Sequence, residues 1–121
     1  MPGVLVVDDE SDMRLLVEAV IERANEGLAV VGLATTGAEA IARWREIDPD
    51  VILLDHQMPD MTGLEAAALI LAEQPDQRII LFSAYLDAEI RAQAAELGIL
   101  ACVPKTELSR IPEALWRLDT D

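Results

Sequence analysis

Apolar residues fall in five short runs along the chain, and between the runs they recur at helical spacing. Residues 3–7, 28–34, 51–54, 78–82 and 100–103 are compact and lack strict polar alternation. Such runs read as strands buried on both faces. After the first run, Met13, Leu16, Val17, Val20, Ile21 and Ala24 share one helical face. Ser11 can cap that helix, Asp12 suits its first turn, and Asn25-Glu26-Gly27 is its stop. Thr36 and Glu39 have capping-box spacing and open a helix near Gly37, with Ile41 and Trp44 toward the core and Pro49-Asp50 beyond its end. Thr62 and Glu65 repeat the pattern ahead of Leu64, Ala67, Ile70 and Leu71, and Gln74-Pro75 ends that helix. Asp87 can cap a helix running to Leu97, with Gly98 as its C-terminal cap. A last helix carries Leu108, Ile111, Leu115 and Leu118. Strand and helix alternate five times with short connections. That order predicts an α/β fold: a doubly wound, five-stranded parallel sheet with helices on both faces.

Composition narrows the picture. The 121 residues suffice for one domain, 1–121, with one core, and 52% apolar content is too high for a disordered chain. Nine basic side chains stand against 23 acidic ones, a net charge of −14. That balance opposes binding to nucleic acid phosphates and to anionic membranes. No apolar run approaches the roughly 20 residues needed to span a bilayer, and the N-terminus does not have the pattern of a signal peptide. Cys102 is the single cysteine. It permits no internal disulfide and fits a reducing cytoplasm.

The candidate chemistry lies at the strand ends. Asp8 and Asp9 end the first strand, Asp55 the third, Ser83 the fourth and Lys105 the fifth. Parallel strands place their carboxyl ends on one edge, so these five can line one crevice. An unpaired carboxylate is costly to bury, so Asp55 needs an open edge, a cation, or both. A divalent cation relieves the mutual repulsion of three carboxylates, and a small hard one that keeps water ligands, Mg²⁺, suits so few donors. Lys105 adds a mobile positive charge and Ser83 a hydroxyl. A carboxylate nucleophile, a metal and a lysine are the parts of phosphoryl transfer onto aspartate.

Across nearly its whole length the sequence resembles the receiver domain of two-component response regulators. The matching motifs are Val6-Val7-Asp8-Asp9-Glu10, Leu53-Leu54-Asp55 with Met58-Pro59 and Gly63, Ser83-Ala84, and Lys105. The resemblance implies a flavodoxin-like sheet in the order 2-1-3-4-5 and phosphoryl acceptance by Asp55 from a histidine kinase or phosphotransfer protein. It implies Mg²⁺ held by Asp8, Asp9, Asp55 and the backbone carbonyl of Gln57, with Ser83 and Lys105 on the phosphoryl oxygens. It leaves room for an output domain beyond Asp121; the Val30-Val31-Gly32 strand looks most like receivers that precede helix-turn-helix domains.

Two positions depart from the family pattern. Cys102 stands where a switch aromatic is common, and Thr106 replaces the proline that commonly follows the lysine. Gln57 and Tyr85 flank the approach of water in this family, and Tyr85 is expected to shield the phosphoryl group. His56 reads as a rim side chain rather than a phosphocarrier, Glu10 as support for the metal loop, and Cys102 as a small buried hydrophobe. Trp44 reads as core. Trp116 falls off the apolar stripe and either covers its own helix or meets a partner, a second copy through the last helix included. Three classes stay open at this point: a phosphoacceptor signalling module that is not an enzyme, an aspartate-nucleophile phosphatase, and a receiver-like module that no longer uses phosphate. Gln57 argues against the second, whose members place a second aspartate there. The intact set of five site residues argues against the third.

Overall fold

The computed structural model describes residues 3–24 and 27–120, with side chains described through Arg117. The expected stop at Asn25-Glu26 and the Leu118 side chain lie outside the described residues. The element order is β1 (Gly3–Val7), α1 (Ser11–Ala24), β2 (Ala29–Ala34), α2 (Gly37–Ile47), β3 (Val51–Leu54), α3 (Gly63–Glu73), β4 (Arg78–Ser83), α4 (Ala88–Leu97), β5 (Ala101–Pro104) and α5 (Ile111–Thr120). A 3₁₀ segment, Lys105–Arg110, joins β5 to α5. The five strands are parallel and ordered β2-β1-β3-β4-β5, as expected.

Alternate residues of the central strands feed two cores. Leu5, Val7, Ile52, Leu54, Ile79 and Leu81 face α2, α3 and α4, where Ala40, Trp44, Ala67 and Ile70 meet them. Val4, Val6, Val51, Leu53, Ile80 and Phe82 pack on the other side with Val17 and Ile21 of α1 and Ile111 and Leu115 of α5. This two-sided burial is why the strand runs carry no polar alternation.

Capping follows the sequence closely. Thr62 Oγ1 accepts from the Glu65 N–H at 3.1 Å while Glu65 Oε1 accepts from the Thr62 N–H at 3.0 Å, a complete capping box. At α2 the Thr36 hydroxyl accepts from the Glu39 N–H, but Glu39 reaches back to the Thr35 N–H, one residue further than the box requires. Asp87 caps α4 through the Ile90 N–H at 2.8 Å, and Gly98 closes it at φ 101°.

Several local expectations shift. Helix α1 already includes Ser11, and the Glu10 carbonyl accepts the first helical bond from the Arg14 N–H, so Glu10 occupies the cap position. Leu16 is 49% exposed, because α1 buries only a narrow stripe centred on Val17 and Ile21. Strands β2 and β5 each begin one residue later than the apolar run, at Ala29 and Ala101. Cys102 is half-buried, because β5 is an edge strand. Trp116 is exposed, as its position off the stripe predicts.

Candidate functional site

Strand register alone brings the site together. β1 and β3 pair with Val7 opposite Leu54, so the next residues, Asp8 and Asp55, leave the sheet side by side. The Asp55 N–H still donates to the Val7 carbonyl at 3.0 Å, and the Asp8 N–H to Ala34 at 3.0 Å, which fixes both backbones. On the other side, Ser83 pairs with Pro104, so Lys105 follows directly beyond β5.

Asp8, Asp55 and Ser83 are buried, while Asp9 is exposed at the rim. One carboxylate oxygen from each of Asp8, Asp9 and Asp55 lies within 4.8 Å of the others. The largely buried Lys105 Nζ stands 2.9 Å from Asp8 Oδ2, 3.3 Å from Asp55 Oδ2 and 3.8 Å from Glu10 Oε1. Burial, and then the charge of Asp8, push the Asp55 carboxyl up to about 7, against the pull of Lys105. Burial also pulls down on the Lys105 ammonium, but Asp8 and Asp55 outweigh it and hold the pKa above its ordinary value. A single ammonium therefore serves two buried acids and does not fully compensate them.

The crevice over these groups holds about 170 Å³ and is lined by Asp9, Glu10, Asp55, Gln57, Ala84 and Lys105. Gln57 thus borders the crevice that Asp55 and Lys105 also line. Ser83 lies beneath this surface, its Oγ accepting from the Tyr85 N–H at 3.3 Å. Tyr85 itself is 61% exposed and lines no part of the crevice, so the expected shield is absent from this conformation. His56 is half-buried and does not line the crevice; burial lowers its pKa against the charges of Asp87 and Glu65. A larger groove of about 460 Å³ runs along residues 100–103 and the start of α5, but holds none of the clustered acids.

Two supports hold Asp8, and of these Arg14 was not legible in the sequence. Arg14 Nη1 donates to the Asp8 carbonyl at 2.7 Å, and the Glu10 N–H donates to Asp8 Oδ1 at 2.9 Å. Helical spacing from the strand end puts Arg14 one turn into α1, but only the turn of the chain at Asp9 aims it back. Asp8 Oδ1 is thereby occupied. Asp8 Oδ2 is buried, and the partner it has is the Lys105 ammonium at 2.9 Å, which Asp55 shares. A buried, underserved carboxylate oxygen beside two further carboxylates is a fit for a hard cation.

The parallel sheet, in the order β2-β1-β3-β4-β5, thus carries three acids and a lysine together at its carboxyl edge. The sequence pattern of the response regulator receiver domain matches residues 4–115, and the chain belongs to that family. It is 35% identical over 113 residues to the chemotaxis protein CheY of Thermotoga maritima, covering 93% of this chain and 92% of that protein. It is 39% identical over 123 residues to a protein-glutamate methylesterase/protein-glutamine glutaminase of Halobacterium salinarum, but spans only 35% of that protein's length. Among solved structures, the response regulator domain of Thermotoga maritima CheB superposes with a TM-score of 0.90 at 29% identity, over 100% of this chain and 98% of that one. Among the described residues no helix is long and apolar enough to cross a membrane.

Proposed function

We propose that residues 1–121 form one receiver domain that accepts a phosphoryl group on Asp55, with Mg²⁺, from a histidine kinase or phosphotransfer protein. The observation that carries the reading is the Asp55 carboxyl itself. It is buried at the end of a central strand, beside a second buried acid, and 3.3 Å from a lysine. In the transfer, an Asp55 carboxylate oxygen bonds to phosphorus as the phosphorus–nitrogen bond of a phosphohistidine breaks, and the imidazole leaves with the electron pair. Lys105 supplies positive charge to the arriving oxygens and the Ser83 hydroxyl a hydrogen-bond donor. Asp8, Asp9, Asp55 and the Gln57 carbonyl are the groups that would hold Mg²⁺, which when bound offsets carboxylate repulsion and polarises the phosphoryl group.

The phosphorylated domain then changes what it binds, a partner protein or an output domain. The −14 charge opposes direct contact with nucleic acid. A phosphatase reading is disfavoured because Gln57 carries no carboxyl to act as acid or base on a leaving group. The test is incubation with acetyl phosphate, with Mg²⁺ or with a chelator, followed by intact mass. One phosphoryl group that survives for minutes and requires Mg²⁺ supports the reading. Continuous turnover without an accumulated phosphoprotein would instead favour the phosphatase.

A further inference from the structure

The residues between Asp55 and α3 form a closed loop. Gln57 and Thr62 make an isolated antiparallel bridge, and the Gly63 N–H donates to the His56 carbonyl at 2.7 Å. Gly63 must be glycine here, because a Cβ would collide with the Asp55 carbonyl. The tip of this loop, 58–61, reaches across to α2. Asp60 Oδ1 accepts from the Gly37 N–H and Oδ2 from the Ala38 N–H, both at 2.9 Å. Met61 packs on Gly37 so closely that a Cβ there would overlap it.

These bonds complete the amino terminus of α2. A helix leaves its first N–H groups without internal partners. In α2, Asp60 takes the first and second, and the Thr36 hydroxyl takes the third, from Glu39. The negative charge of Asp60 also faces the positive end of the helix. The bonds to Ala38 and Gly37 hold the Asp60 carboxyl below the usual carboxylate range, as a charge-assisted clamp requires. Asp60 and Thr36 thus do similar work for the helix, but only Asp60 ties it to the loop.

We infer that Asp60 is a positioning residue for the phosphoacceptor site: by clamping the loop tip to α2 it fixes where the Gln57 carbonyl stands relative to Asp55. The inference rests on the proposed Mg²⁺ and phosphoryl chemistry at Asp55. Only Met58 and Pro59 separate Gln57 from the Asp60 clamp, so loosening the tip loosens Gln57. Groups that hold a metal ligand in place commonly matter about tenfold in metal affinity, and Asp60 would do so through the loop backbone rather than by touching Gln57.

The experiment compares wild type, Asp60→Ala, Asp60→Asn and Thr36→Ala. Mg²⁺ affinity is measured by titration calorimetry well below each melting temperature. Amide hydrogen exchange of residues 56–62 is followed in the metal-free proteins. Both Asp60→Ala and Thr36→Ala remove bonds from the α2 terminus and should lower the melting temperature. Only Asp60→Ala should weaken Mg²⁺ binding, by about tenfold, and speed exchange in the loop. Asp60→Asn retains one acceptor oxygen and should fall between; it carries the test if the alanine variant does not fold. Asp60 variants binding within about twofold of wild type, or Thr36→Ala weakening Mg²⁺ equally, would overturn the inference while leaving Asp55 chemistry intact. A wild type that binds no Mg²⁺ would overturn the Asp55 reading and this inference together.

Discussion

The two edges of the sheet handle buried polar groups in opposite ways. At the amino edge Gln77 is buried, yet its amide is fully engaged. Its Oε1 accepts from the Trp44 indole N–H at 3.1 Å, and its Nε2 donates toward the carbonyls of Pro49, Asp50 and Arg78 at 3.1–3.4 Å. The same edge is closed by the Gly3 N–H donating to Asp50 Oδ2 at 2.6 Å. At the carboxyl edge two buried acids share one lysine. Satisfied groups stabilise the fold at one end. Charged, underserved groups at the other leave free energy that a bound cation could recover.

The contrast breaks most visibly at the amino edge. Gln77→Ala leaves the Trp44 N–H and three carbonyls without this partner, and should cost about 3 kcal/mol in denaturant unfolding. Labelling by acetyl phosphate should stay unchanged wherever the variant is folded. A large loss of labelling in folded Gln77→Ala would mean the two edges are not independent.

The carboxyl edge should respond with the opposite sign. Asp55→Asn removes one of the crowded charges and should stabilise the metal-free protein by roughly 2 kcal/mol at neutral pH. The folded Asp55 carboxyl sits near 7, above the ordinary 3.8. The folded state therefore holds this proton more tightly than the unfolded one. Its stabilising contribution is complete below about pH 4 and is lost as pH rises toward 7. Metal-free wild type should lose stability across that window relative to Asp55→Asn, and Mg²⁺ should restore it. Parallel pH profiles for the two proteins would contradict the account of this edge.

The smallest effect lies between the edges. Thr62→Ala removes the hydroxyl half of the α3 capping box and should cost about 1 kcal/mol. Thermal melts with and without Mg²⁺ should show the same decrement if the cap serves α3 alone.

What was legible in the sequence follows the range of the interactions. Strands β1, β3 and β4 are visible because both faces are apolar, and the site is visible because its residues end those strands. The caps at Thr36, Thr62 and Asp87 are local and were read correctly. Asp60 was missed because its partners are 22 and 23 residues away. Gln77 was missed because a Pro-Asp-Gln-Arg stretch has the composition of an exposed loop. Leu16 was misplaced because periodicity marks a face but not how wide a stripe the sheet can cover. The Tyr85 expectation came from the family resemblance, and a chain that bends at Ala84 leaves that side chain exposed instead.

Asp55 is the proposed acceptor of the phosphoryl group. Wild type and Asp55→Asn, incubated side by side with acetyl phosphate and Mg²⁺, test it by intact mass. Wild type should gain one phosphoryl group and Asp55→Asn none. Equal labelling of the two proteins would contradict that assignment.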